Sequence, residues 1–183
     1  MKRLSYILIA LFSYSLSFGQ SSCQVDLIAS KVTINGTSSL HDWESTAMDF
    51  QGNVGFVLEG DKIVQSEDIF IAVVVGSIKS GKAIMDKKTM EALKQTEFPT
   101  ITFRSTQARC EENQKINCKG NLLIAGASKE VTAEVGYKLI QGVPEVSGSI
   151  KLLMTDYGVD PPEALFGTIK TGNQITIEFN LKF

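Results

Sequence analysis

What the chain has least of narrows its chemistry first. One histidine in 183 residues excludes every site that needs two imidazoles. Three cysteines stand without CxxC spacing, which removes the usual zinc-ribbon and dithiol signatures. Four prolines are too few for a polyproline tract, and no low-complexity run or repeat is present. A surplus charge of one sign is missing too. Eighteen Lys and Arg against 20 Asp and Glu leave a net charge of -2, so no overall electrostatic pull draws the chain to nucleic acid or an anionic surface. Hydrolysis by His41-Asp42 beside Ser38 and Ser39 lacks a nucleophile elbow, and a metal centre would have to combine His41 with scattered carboxylates and distant cysteines. No catalytic residue, no metal ligand and no enzymatic turnover are expected.

Long apolar runs are confined to the N-terminus. Met1-Lys2-Arg3 is a short basic region, and Leu4 to Phe18 is an almost unbroken apolar stretch, which reads as a secretory signal peptide. Ser17 and Gly19 are small residues at the positions a signal peptidase inspects. Residues 1–19 are therefore expected to be removed, leaving 20–183 as one periplasmic or secreted domain. Acylation of Cys23 is a poorer alternative, because Gln20-Ser21-Ser22 is a weak context for it. No other apolar stretch approaches the roughly 20 residues of a spanning helix.

The rest of the chain has a period of two. Ile175, Ile177, Phe179, Leu181 and Phe183 alternate with Gln174, Thr176, Glu178, Asn180 and Lys182, which sets one face on a core and the other in water. Val131, Ala133, Val135, Tyr137 and Leu139 repeat the pattern. Ile69 to Ile78 is apolar on both faces and predicts a strand covered on both sides. Val25–Ile34, Met48–Leu58, Thr100–Cys110, Ile116–Ile124 and Val146–Met154 complete a set of about eight strands at barrel or sandwich spacing. One segment differs: residues 86–95 are good helix formers, with Asp86 placed to cap them and Met85, Thr89, Ala92 and Leu93 on one face.

Three blocks stand in order along the chain: Ser77-Ile78-Lys79-Ser80-Gly81 through Met85-Asp86, Met90, Leu93 and Phe98-Pro99-Thr100-Ile101-Thr102-Phe103; then Gly120 to Val131; then the closing Asp156-Tyr157-Gly158-Val159-Asp160-Pro161-Pro162. Together they resemble the YceI family of lipocalin-like polyisoprenoid-binding proteins. The resemblance implies an all-β, eight-stranded antiparallel lipocalin-like barrel with one short helix, holding an amphiphilic lipid in its bore. No cofactor is implied beyond a bound isoprenoid lipid or quinone. Nucleic acid is not an expected partner, and monomer and homodimer both remain open.

Candidate ligand-binding positions follow from the strand faces and the helix. Val73, Val75, Ile101, Phe103 and Leu122, with Met85, Met90 and Leu93, offer apolar surface, although parity alone does not say which face points inward. His41, Asp42, Trp43 and Arg104 form the polar set. The Arg104 guanidinium suits an anionic headgroup, or else sits on the outer face beside a carboxylate. Cys110 and Cys118 flank a polar hairpin tip and would face each other, as a disulfide, if the turn centres on Gln114, with free thiols as the alternative. Two other readings stand beside lipid binding: a lipid-free interaction or stress module on the same barrel, and a small outer-membrane β-barrel.

Overall fold

The computed structural model describes residues 20–164 and 167–183, and the expected leader, residues 1–19, lies outside them. The chain forms β1 (Gln20–Gln24), β2 (Lys31–Ser38), β3 (Trp43–Ala47), β4 (Phe50–Glu59), β5 (Lys62–Val74), β6 (Ile78–Lys79), α1 (Ala83–Ala92), β7 (Thr100–Glu111), β8 (Lys115–Ile124), β9 (Ala127–Ile140), β10 (Val143–Leu153), β11 (Glu163–Ala164) and β12 (Ile169–Lys182). Every pairing is antiparallel, in the order β1-β4-β5-β7-β8-β9-β10-β12-β2-β3-β6, with β11 beside β12.

The fold is all-β and barrel-like with one short helix, and its strands outnumber the expected eight. The surplus has a local cause. β3 and β4 are one chain run interrupted only at Met48 and Asp49. A 3-10 turn at Val75–Ser77 likewise separates β5 from β6. Across the interruption the Met48 N–H donates to the Ser77 carbonyl and the Val74 N–H to the Asp49 carbonyl. The sheet thus curls until the two halves of one run stand near opposite ends of the pairing order.

Alternation decides which face is inside. On β9, Ala133, Val135 and Tyr137 are buried while Thr132, Glu134 and Lys138 are exposed. Two-residue turns at Ala125-Gly126 and Gln141-Gly142, with both residues at positive φ, supply the twist that tight hairpins require. The larger apolar cluster includes Val54, Phe56, Ile63, Val135, Tyr137 and Leu181, and Phe56 meets Phe183 edge-on at 5.5 Å. Outside, ion pairs bridge neighbouring strands: Lys31–Glu44, Lys115–Glu134, Lys119–Glu130 and Lys182–Glu145. An apolar interior beneath a charged exterior reverses the pattern of a membrane barrel with a polar lumen.

Several boundaries differ from the sequence expectation. Residues 25–30 turn rather than extend, because the Asp26 carboxylate accepts the N–H groups of Ile28 and Ala29. The Ile69–Ile78 strand is neither continuous nor covered on both sides: it ends in the 3-10 turn, and Val74 is 37% exposed. The helix starts at Ala83, not Asp86, and Lys94 at φ 52 lies beyond its end. Asp86 is not its cap. Its carboxylate instead reaches back to accept the Ser80 N–H at 2.7 Å and the Ser80 hydroxyl at 2.6 Å.

Candidate functional site

A cavity of about 680 Å³ opens between α1 and one end of the barrel. Its walls are mostly apolar. β2 contributes Ile34, β6 Ile78, β7 Ile101, β8 Ile124, β10 Leu152, and β12 Ile175 and Ile177. Tyr157 and Val159, after β10, complete the floor beside the smaller apolar cluster. The helix supplies the cover through Met85, Thr89, Ala92 and Leu93, all on one face. No residue of α1 is fully buried, so it lies over the opening as a lid rather than as part of the core.

The rim is built by local hydrogen bonding. Between β2 and β3 the Ser38 hydroxyl accepts from the Leu40 and His41 N–H groups and donates to the His41 carbonyl at 2.7 Å. Ser39 exchanges hydrogen bonds with Lys170 at the start of β12. Across the opening Lys88 donates to the Glu163 carbonyl at 2.7 Å, tying the helix to β11. Leu40 and Ile84, 66% and 77% exposed, stand at the mouth with His41, Lys82 and Lys88. The Tyr157 hydroxyl is buried with no hydrogen-bond partner, which costs about 1–3 kcal/mol. Burial, helped by the Asp156 carboxylate, pushes its pKa up, so it remains a neutral hydroxyl.

The structure brings His41, Trp43, Met85, Leu93 and Ile101 to the cavity wall and leaves the other candidates elsewhere. Val73, Phe103 and Leu122 pack into the core. Val75 is fully buried in the 3-10 turn. Met90 stands five residues from Met85, about 140° round a helix, and so misses the cavity. Asp42 is exposed outside the lining. Arg104 is exposed opposite Phe70 on the outer face, its guanidinium carbon 4.8 Å from the ring centroid. That cation–π contact sets Arg104 on the outer face, the alternative the sequence left open, with Phe70 and not a carboxylate as its neighbour.

The cysteine expectation is corrected as well. Glu111 pairs with Lys115, which centres the turn on Asn113 and sets Cys110 opposite Ile116 and Cys118 opposite Ala108. Diagonal neighbours lie about 7–8 Å apart, beyond ordinary disulfide reach. Both are free thiols, as is Cys23.

Sequence reasoning missed most of the rim. Leu40 and Ile84 are apolar residues set among polar ones, and that isolation was the available signal. Among the described residues no cluster of three or more His, Cys, Asp or Glu side chains could hold a metal ion. No described helix is long and apolar enough to cross a membrane.

A family model described as a YceI-like domain matches residues 23–183. Among solved structures, Burkholderia cenocepacia BcnA superposes with a TM-score of 0.76 at 21% identity, covering 87% of this chain and 99% of that one. A polyisoprenoid binding domain from Saccharophagus degradans, implicated in plant cell wall breakdown, gives 0.67 at 9% identity, covering 90% and 98%. A Campylobacter jejuni YceI protein gives 0.62 at 15% identity, covering 99% and 98%. No curated protein matches the chain at a significant level.

Proposed function

The chain belongs to the YceI-like domain family, and from that premise we propose that it is an exported binding protein which holds the apolar tail of an isoprenoid or similar amphiphilic lipid without turning it over. The observation that carries this reading is the open cavity of about 680 Å³, within the 300–1,000 Å³ range of small-molecule sites. Its wall suits hydrocarbon. Transferring each methylene out of water is worth about 0.8 kcal/mol, and ordering a flexible tail offsets part of that gain. The polyisoprenoid binding domain among the structural neighbours supports the same ligand class. The basic and apolar run in residues 1–19 supports export. One chain encloses the cavity by itself, so the proposed binding needs no second copy.

Trp43, the single tryptophan, lies in the cavity wall and provides the test. Titration with farnesol, a prenyl alcohol, is expected to change its fluorescence saturably at one equivalent per chain. A spectrum that stays flat to the solubility limit of farnesol, with no binding by calorimetry, would overturn the reading.

A further inference from the structure

We infer that the mouth of the cavity docks onto an anionic lipid bilayer, with Leu40 and Ile84 entering the interfacial layer and Lys82 meeting its headgroups. The inference rests on the proposed function, since it supplies the surface from which a lipid tail would be taken up. Leu40 comes from the β2–β3 loop and Ile84 from the start of α1, and both line the opening while standing mostly in solvent. Two exposed branched side chains on either side of an apolar cavity make a surface that water solvates poorly and an acyl boundary accepts.

Charge at the mouth favours an anionic surface over a neutral one. The charged residues lining the opening are Lys82, Lys88 and Glu163, with His41 beside them. The Glu163 carboxylate is paired with Lys170 at 3.8 Å. Asp86, on the same helix, is turned toward Ser80, and Glu91 faces Lys87 at 3.8 Å. The Lys88 amine is held by the Glu163 carbonyl at 2.7 Å, which leaves Lys82 as the lining cation that faces outward, although Asp42 is exposed beside His41 and the whole chain carries a small negative charge. Lysine stems can lie along apolar surface while their amines reach the phosphate layer. The loop geometry keeps Leu40 outward, because the Ser38 hydroxyl holds that turn from both sides.

The experiment is flotation of residues 20–183 with vesicles of phosphatidylcholine alone and of phosphatidylcholine mixed with an equal amount of phosphatidylglycerol. Binding to the anionic vesicles is expected to be at least about fivefold stronger, and Lys82→Gln to weaken it by about fivefold. Ile84→Ser should weaken it further. Ile28→Ser is the matched control: Ile28 is 97% exposed but precedes β2, whereas Leu40 follows it, placing the two roughly 25 Å apart along the strand. Its binding should equal that of the parent chain. Equal flotation with both vesicle types, or an Ile84→Ser variant indistinguishable from Ile28→Ser, overturns the inference. Farnesol titration without vesicles, run on the same preparation, separates the two claims. Uptake of farnesol without flotation removes the docking surface and leaves the binding function. Flotation without uptake of farnesol contradicts the binding function itself.

Discussion

The Trp43 indole lies directly across Gly36, its partner on β2. A Cβ at Gly36 would stand only 2.5 Å from Trp43 Cε2, so the absence of a side chain makes the close approach possible. The same edge of the ring is fixed by an Nε1–H bond to the Thr37 carbonyl at 3.0 Å. This relationship places the ring in the cavity wall. Gly36→Ala should therefore displace Trp43, cost roughly 1–3 kcal/mol, and weaken farnesol binding. Thermal unfolding and the Trp43 emission maximum check both effects.

The helix provides a paired test of which residues line the cavity. Met85 faces the cavity and Met90 does not. Met85→Asp should abolish farnesol binding, because a carboxylate against hydrocarbon is strongly disfavoured. Met90→Asp should retain it within about threefold. Equal loss in both variants would mean the helix sits differently over the opening.

Asp86 gives the lid a dependence on acid. Hydrogen bonds from the Ser80 hydroxyl and N–H hold its carboxyl below the ordinary 3.8. A depressed carboxyl contributes stability that is present above its unfolded value and is lost as pH falls through the lower folded one. The protection of the Ser80 amide against exchange, relative to its intrinsic rate at each pH, should fall below about pH 4. In Asp86→Asn that acid-dependent component should be absent.

The thiols should all react without reductant, since none is paired. Burial pushes the Cys118 thiol up to about 11 and raises Cys110 as well. At neutral pH Cys118 should alkylate roughly a hundredfold more slowly in the folded protein than after unfolding. Mass spectrometry after timed iodoacetamide treatment checks it. Retention of two unlabelled thiols until reductant is added would restore the disulfide.

Strands with one buried face were readable from the amino acids, because alternation is a direct consequence of the pleat. β9 and β12 show this. Short segments escaped: β3 spans only Trp43–Ala47, and β6 two residues, too few to establish a period. Of the strand-face candidates, Val73, Ile101, Phe103 and Leu122 lie on the paired faces of β5, β7 and β8, and Val75 falls in the 3-10 turn. Depth along the barrel axis leaves no trace in a period of two, so only the structure separates Ile101 at the cavity from the three that fill the core. The disulfide expectation failed by two residues of register, the turn centring on Asn113 and not on Gln114. Positive φ at Asn113 and Gln114 set that register, and tip composition alone did not fix it.

Native mass spectrometry of the chain purified without detergent from its own source tests lipid binding most directly. The structure predicts a noncovalent adduct of one lipid per chain, removed by organic extraction and absent from Leu93→Asp, which sets a charge in the cavity wall. A bare protein mass that stays bare after incubation with farnesol, or an adduct that persists in folded Leu93→Asp, would contradict a lipid held beneath α1.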